Sequence, residues 1–273
     1  MKKMILWLFL LSFSAFSASL SMAVQEESLV LYFPFDEEKG DTANDASGNN
    51  NNGTFQGEPK WVEGKHDSAL QFDGAENKNY VEIPDHPSLT PEKEITIMAW
   101  IYFDEFHNTC GVISKYVGAG NQRTYNLRMH HTDNLALSSE CSSNGSFQLG
   151  VSTTEAHTPA ESLKEGEWQH VAMTFKAKDF LRLYVNGEMK ADSKADATES
   201  LLDNNVPLMV GTDFDPGGAH GANPREFTGV IDEVAVFKIA LSDEEMQQAM
   251  ENVMAVELKE KLAISWGKVK VSE

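Results

Sequence analysis

Carboxylates are the most abundant groups in this sequence that could do chemistry. The 273 residues include 42 Asp and Glu against 22 Lys and Arg, giving a net charge of −20. A retaining glycosidase needs two carboxyl groups about 5–5.5 Å apart. On a strand, side chains two residues apart share a face, so a Glu-x-Asp-x-Glu run would place its carboxylates together. That run does not occur: residues 36–38 form an acidic turn cluster, and Asp232 and Glu233 are neighbours that point to opposite faces.

Other catalytic patterns are also absent from the sequence. It contains no Gly-x-Ser-x-Gly nucleophile elbow, no His-Glu-x-x-His zinc motif and no phosphate-binding Gly-Lys-Ser/Thr loop. His130 and His131 are adjacent on a predicted strand, so they face apart and cannot bind one zinc ion together. We therefore predict that the protein is not an enzyme.

The segment 45–53, Asp-Ala-Ser-Gly-Asn-Asn-Asn-Asn-Gly, has the composition of a calcium loop. Calcium takes six to eight oxygen ligands from carboxylates, amides and backbone carbonyls. Asn and Gly favour tight turns that can point carbonyls inward. We predict that Asp45 binds calcium through its side chain, and Asn50 and Gly53 through their main-chain oxygens. The alternative is a polar turn without metal.

A second loop, residues 213–221, is rich in glycine and carries two carboxylates, an aromatic ring and a histidine. Asp213, Asp215 and His220 are candidate ligand-binding side chains, either for an organic ligand or for a second cation. A solvated hairpin loop is the alternative. Trp61 is either a stacking platform for a sugar or a packed residue at the edge of the sheets.

The N-terminus predicts export. Lys2 and Lys3 precede an apolar run at residues 4–17, and the small residues Ser21 and Ala23 follow as a cleavage pattern. We expect a signal peptide over residues 1–23 and a secreted protein, extracellular or periplasmic, without a membrane span after cleavage. An uncleaved anchor is the alternative. The acidic charge disfavours nucleic acid as a partner.

The two cysteines, Cys110 and Cys141, are the only ones in the chain. In an oxidising compartment an even pair predicts one disulfide. Two free buried thiols are the alternative.

The hydrophobic pattern predicts strands and turns almost throughout, and hence an all-β sandwich in one domain. Residues 95–103 are apolar on both faces, which indicates a central strand with Trp100 in the core. Asn186-Gly187 marks a hairpin. Ser242 to Glu245 form a capping box that begins one short helix, expected to run to about Met254. We assign the domain to residues 24–255 and a C-terminal tail to residues 256–273.

Seven segments in order resemble the laminin-G-like, concanavalin A-like jelly-roll family, which is related to the pentraxins, in its bacterial secreted form. They are residues 31–37, 45–49, 69–74, 95–101, 168–172, 183–188 and 227–234. The resemblance implies a jelly roll of two antiparallel sheets and a non-catalytic module that binds glycans or protein surfaces. It also implies one calcium ion near the sheet edge, with Asp232 close to the loop 45–53 and Asp36 as a weaker candidate ligand.

We therefore expect a secreted, calcium-stabilised binding module for a glycan or an extracellular protein. Two alternatives from other classes remain: a glycan-cleaving enzyme of the same fold, and a structural or adhesive envelope protein.

Overall fold

Two antiparallel sheets make up the fold. The computed structural model describes residues 28–74, 78–106, 109–117, 122–130, 135–144, 152–213 and 225–251. Each sheet contains eight strands, and we call the two sheets sheet I and sheet II. The predicted all-β jelly-roll sandwich is confirmed.

The strands are β1 (Leu29–Phe33), β2 (Thr42–Ala43), β3 (Gly53–Gln56), β4 (Lys60–Glu63), β5 (Ser68–Asp73), β6 (Tyr80–Ile83), β7 (Glu94–Tyr102), β8 (Cys110–Val117), β9 (Gln122–His130), β10 (Ala136–Ser142), β11 (Thr153–His157), β12 (Gln169–Lys176), β13 (Phe180–Val185), β14 (Glu188–Lys194), β15 (Leu208–Val210) and β16 (Thr228–Phe237). Sheet I has the strand order β14-β13-β12-β7-β16-β5-β4, with β1 also paired to β16. Sheet II has the order β11-β10-β9-β8-β15-β6-β3-β2.

The core lies between the sheets, and strand β7 shows how the alternation builds it. Ile95, Ile97 and Ile101 point inward and are fully buried. Trp100 lies on the opposite, outer face of sheet I and is only partly buried. The prediction that β7 is a central strand is confirmed, since it pairs with β12 and β16. The prediction that Trp100 belongs to the core is wrong.

A helix, α1, covers part of the outer face of sheet I and is described over residues 243–251. It begins with the predicted capping box: the Ser242 amide donates to Glu245 Oε2 at 2.9 Å, and the Glu245 amide donates to Ser242 Oγ at 3.3 Å. Met246 and Ala249 pack in a second apolar cluster with Tyr184 and Met98 of the sheet. The end predicted near Met254 lies outside the described residues.

The predicted hairpin joins β13 to β14, where Asn186 and Gly187 have φ angles of 52° and 74°. Two consecutive left-handed residues match the twist of the flanking strands. Among the described residues, no helix is long and apolar enough to span a membrane. The predicted signal peptide (residues 1–23) and tail (residues 256–273) lie outside the described residues.

Candidate functional site

Asp45, the first residue of the predicted calcium loop, accepts hydrogen bonds from backbone amides. Its Oδ1 accepts hydrogen bonds from the amides of Tyr32 at 3.0 Å and Ser47 at 2.9 Å, and its Oδ2 accepts from the amide of Asn51 at 2.9 Å. A carboxylate that accepts several amide hydrogen bonds can organise a turn by itself. Protein donors therefore account for the order of this loop.

The other two loop residues occupy different environments. Asn50 is exposed and has a φ of 61°, a left-handed conformation that asparagine tolerates. Gly53 belongs to β3 and pairs with Ala43, and an added Cβ would collide with the side chain of Val81. Strand packing therefore explains why a glycine stands at position 53.

Asp36 and Asp232, in contrast, lie close together. The amides of Ser68 and His66 donate to Asp36 Oδ1 at 3.3 Å and Asp232 Oδ2 at 3.0 Å, respectively. Burial raises the pKa of Asp232 to about 7, and the negative charge of Asp36 adds to the rise. Two acidic oxygen donors, one of them buried, fit a hard cation better than the loop around Asp45 does. In the part of the chain that the structure describes, no three His, Cys, Asp or Glu side chains form a metal-binding group.

The structure contradicts the predicted disulfide. Cys110 and Cys141 are both free and buried. They pair with Met129 and Tyr125, four residues apart on the intervening strand β9. That register separates them by about 13 Å along the strands and by two strand spacings of about 4.8 Å. A disulfide requires Cα atoms within about 7 Å. Burial raises the pKa of both thiols.

The outer face of sheet II carries a buried network of charges centred on Arg128. Its guanidinium lies 3.4 Å from Glu140, 3.6 Å from Glu155 and 3.9 Å from Asp213. Its Nε also donates to Ser138 Oγ at 2.9 Å. Of the three predicted ligand-binding residues in the loop 213–221, Asp213 belongs to this network, and Asp215 and His220 lie outside the described residues.

Asp213 is fully buried and is bound mainly by a second arginine. Arg225 Nη1 donates to Asp213 Oδ2 at 3.0 Å. The other oxygen, Oδ1, has no hydrogen-bond partner among the described residues. The prediction that Asp213 contacts a ligand remains untested.

Glu140 and Glu155 form a carboxylate pair that the sequence analysis missed, because they face each other across neighbouring strands β10 and β11. Burial raises the pKa of Glu140, whereas a hydrogen bond from His157 lowers the pKa of Glu155. Separated pKa values are the signature of acid–base pairs. Here, however, Arg128 contacts both carboxylates, and the space beside Glu140 is about 10 Å³, enough for about one water molecule.

Sheet I presents a more open surface, which we call the aromatic strip: Trp100 and Tyr102 of β7, Trp168 just before β12, and Lys65. The three aromatic rings are partly exposed, and Lys65 is exposed. The Tyr102 and Trp168 ring centroids are 5.7 Å apart, and Lys65 Nζ lies 4.4 Å from the Trp100 ring centroid. This strip was not predicted from the sequence, although the i, i+2 spacing of Trp100 and Tyr102 places both rings on one face of a strand.

Two histidines flank the Trp100 ring of the strip, one buried and one partly exposed. His170 of β12 pairs with Trp100, and their ring centroids are 5.5 Å apart. Burial lowers the pKa of His170 to about 3, so the imidazole is neutral. On the other side, the His66 ring meets Trp100 edge-on at 6.2 Å. These contacts fix the orientation of the Trp100 ring.

A profile of the concanavalin A-like lectin/glucanases superfamily matches residues 73–247, well over half of the chain. The chain belongs to this superfamily. The match covers the strands that carry both the aromatic strip and the Arg128 network.

Solved structures share the fold at low sequence identity. The binding domain of Paraclostridial Mosquitocidal Protein 1 superposes with a TM-score of 0.63 at 15% identity, over 82% of this chain and 52% of that one. A structure of botulinum neurotoxin type C, whose cell entry depends on two ganglioside molecules, gives 0.62 at 12% identity over 85% and 53%. This chain therefore spans about half the length of those toxin chains.

A third structure is matched over nearly its whole length. Domain 4 of AbnA, an extracellular arabinanase from Geobacillus stearothermophilus in complex with arabinotriose, gives a TM-score of 0.59 at 17% identity, over 81% of this chain and 98% of that one. At these identities the likeness concerns the fold.

Proposed function

We propose that the protein is a secreted, non-catalytic module that binds glycans through the aromatic strip. The observation that carries the proposal is the partly exposed row formed by Trp100 and Tyr102 on the central strand β7 and by Trp168 just before β12. Large aromatic rings with fixed orientation offer apolar area at a low entropic cost. The C–H faces of sugar rings present apolar surface of matching size.

Polar groups at the edge of the strip suit sugar hydroxyls. The exposed Tyr102 hydroxyl donates to Asp104 Oδ1 at 2.8 Å, which leaves the remaining lone pairs of both groups for ligand hydroxyls. The ammonium of Lys65 is exposed and can donate as well. Stacking surface bordered by donors and acceptors is the usual composition of a carbohydrate site. The arabinotriose complex of an arabinanase domain with this fold, and the gangliosides of a toxin with this fold, support the assignment.

The binding proposal is tested on a glycan array, followed by calorimetry of the ligands that bind. The variant Trp168→Ala removes one aromatic ring of the strip. We expect its affinity for the glycan to fall about 30-fold, which is equivalent to about 2 kcal/mol for an aromatic hot spot. Met189→Ala is the matched control, because Met189 is an exposed apolar side chain on β14. If both variants bind like the wild type, the strip is not the site.

Protein ligands are the other class of partner for this surface. A botulinum neurotoxin binding domain of the same fold has been solved with rat synaptotagmin II, at a TM-score of 0.59 and 13% identity, over 84% of this chain and 52% of that one. If the array shows no glycan that binds, the glycan proposal is rejected in favour of a protein ligand or an adhesive envelope role.

We also propose that calcium stabilises the fold at Asp36 and Asp232. When bound there, calcium would supply positive charge to the buried Asp232 carboxylate, and Asp36 would be the second acidic ligand. Binding to the native state alone, at 100 times the dissociation constant, adds about 2.7 kcal/mol of stability. We expect a chelator to lower the melting temperature of the wild type but not that of Asp232→Asn. Exposed Asp41 serves as the control, as Asp41→Asn.

The proposed location, outside the cytoplasm, follows from the predicted signal peptide. Cell fractionation with N-terminal sequencing of the mature protein tests it. A protein that retains residues 1–23 in the cytoplasmic fraction would contradict export.

Glycan cleavage is the second candidate function, and the facing pair Glu140 and Glu155 is the observation that favours it. Arg128 contacts both carboxylates, which disfavours their use as a catalytic acid and base. Reducing-end assays on the polysaccharides that bind distinguish the two functions. We expect no turnover, and turnover that disappears in Glu140→Gln would establish an enzyme.

A further inference from the structure

A polar groove with a volume of about 700 Å³ opens at the end of sheet II where β9 begins and β10 ends. None of its lining residues belongs to the aromatic strip or to the Arg128 network. Its lining residues are Gln122, Asn144, Leu202, Asp203, Asn204, Asn205 and Val206. Five of the seven belong to one segment, residues 202–206, which lies in the connection between β14 and β15 and which we call the groove loop.

A buried lysine anchors the groove loop from below. The side chain of Lys115 on β8 has no exposed surface, and its Nζ donates to Val206 O and to Asp85 Oδ1, both at 2.6 Å. A longer contact of 3.4 Å reaches Asn204 O. Burial lowers the pKa of the Lys115 ammonium, and the carboxylates of Asp85 and Asp203 oppose that shift. Burying an ammonium costs free energy unless oxygens surround it, so the loop carbonyls are held in place.

Further hydrogen bonds fix the rest of the loop. Thr124 Oγ1 donates to Leu202 O at 2.9 Å and accepts from Asn204 Nδ2 at 2.9 Å. The Leu202 amide donates to Ser142 O at 2.9 Å, and the Val206 amide donates to Asn204 Oδ1 at 3.3 Å. The side chain of Asn204 is thus occupied in structure. A loop without regular secondary structure is therefore preorganised, which lowers the entropic cost of binding a ligand.

The side chains that this scaffold presents to solvent are Asp203 and Asn205, two residues apart and both exposed. Gln122 lines the same groove. Together they offer a carboxylate acceptor and two amides, each of which both donates and accepts. Leu202 and Val206 add partly exposed apolar surface beside them. Vicinal hydroxyl groups on a C–H framework match this combination, because each hydroxyl needs both an acceptor and a donor.

We propose that this groove is a second carbohydrate site, which binds an uncharged sugar through Asp203, Asn205 and Gln122. The carboxylate of Asp203 and the net charge of −20 disfavour sialic and uronic acids. Asp203 is the only acidic residue that lines the groove among the described residues, too few for a calcium site of six to eight oxygens. The inference rests on the proposed glycan-binding function for its class of ligand but concerns a different surface.

The groove and the aromatic strip are far apart, so one protein molecule can bind a sugar unit at each of them. The amide of Leu201, next to the groove loop, donates to the carbonyl of Glu92, just before β7 begins. The aromatic strip includes Tyr102 at the other end of β7. Nine residues of strand span about 30 Å. A polysaccharide with many copies of the recognised unit would therefore bind with avidity or be cross-linked between modules.

Calorimetry with neutral and acidic oligosaccharides tests the second site. The probes are gluco-, manno-, galacto- and arabino-oligosaccharides, their sialylated or uronic counterparts, and calcium chloride alone. We expect two sites per molecule in the wild type for a neutral probe, and one site in Asp203→Ala and in Asn205→Ala. Asp196→Ala removes an exposed carboxylate outside the groove and is the matched control. Lys115→Met should weaken the groove site by loosening its loop, with melting curves to verify folding.

The outcomes separate this inference from the proposed function. If Trp168→Ala loses binding while Asp203→Ala and Asn205→Ala keep wild-type affinity and stoichiometry, the groove is not a sugar site and the strip stands. If the groove variants lose a site and Trp168→Ala does not, the groove stands and the strip fails. A wild type that binds no probe rejects both. Calcium binding that Asp203→Ala abolishes would overturn the sugar assignment.

Discussion

Replacing Arg128 by methionine removes the only residue that contacts Glu140, Glu155 and Asp213 together within the described part of the chain. The side chains of Arg128 and Glu140 are 6% and 5% exposed, so water cannot replace the lost partner. Breaking a buried ion pair by removing one partner costs about 3–5 kcal/mol, because the other charge stays buried. Asp213 keeps Arg225 at 3.0 Å, so most of the cost falls on Glu140.

The assay is equilibrium unfolding in urea of Arg128→Met, Glu140→Gln and the double variant. We expect the free energy of unfolding to fall by about 3–5 kcal/mol in Arg128→Met, with much of the loss recovered in the double variant, where the unpaired charge is gone. Arg182→Met is the control, because its partner Asp192 is 46% exposed and solvent-exposed pairs contribute less than about 1 kcal/mol.

The pH dependence of this loss has a definite sign. Burial already raises the pKa of Glu140, and removing the guanidinium that opposes this raises it further. A carboxyl group whose pKa is higher in the folded state than in the unfolded state destabilises the fold increasingly as the pH rises above the unfolded-state pKa. The defect of Arg128→Met should therefore shrink between pH 7.5 and pH 4.5. A loss below about 1 kcal/mol at pH 7.5, or no rescue by Glu140→Gln, would refute the role of the network.

Three further predictions concern other parts of the molecule. Folding lowers the pKa of His170 from 6.5 to about 3, so this imidazole should make the free energy of unfolding about 3 kcal/mol lower at pH 4 than at pH 7. In urea unfolding, His170→Phe should lose this pH dependence. Cys110 and Cys141 should resist thiol reagents in the native protein, and both should react after unfolding without reductant; a single or absent label would contradict free thiols. Gly111→Ala should lower the melting temperature by several degrees, because its Cβ would collide with the backbone at Asp213, and an unchanged melting curve would count against this packing.

Local signals in the sequence determined the class of fold and several of its details. The left-handed pair Asn186-Gly187 and the reciprocal bonds of Ser242 and Glu245 depend on neighbouring residues alone, so a single sequence predicts them. The same holds for the period-2 pattern behind the all-β architecture. These features need no knowledge of which strands become neighbours.

Where both faces of a strand are apolar, only tertiary packing decided which face belongs to the core. Strand β7 carries bulky side chains on both faces, and the sequence alone favoured Trp100 as a core residue. In the structure the isoleucines face sheet II, and α1 covers only part of the other face, leaving Trp100 partly exposed. Neither periodicity nor composition distinguishes a covered outer face from an open one.

The sequence by itself determined which residue types stand on which strands, and the tertiary structure decided which of them meet. Two cysteines predicted a bridge, but their strands flank β9 with an offset of four residues, so the thiols stay free. Glu140 and Glu155 show no catalytic spacing, yet antiparallel pairing sets them side by side on neighbouring strands, where the Arg128 guanidinium contacts both. The physical reason is that register between strands is fixed by the burial of whole sheet faces, which a linear pattern of residues does not specify.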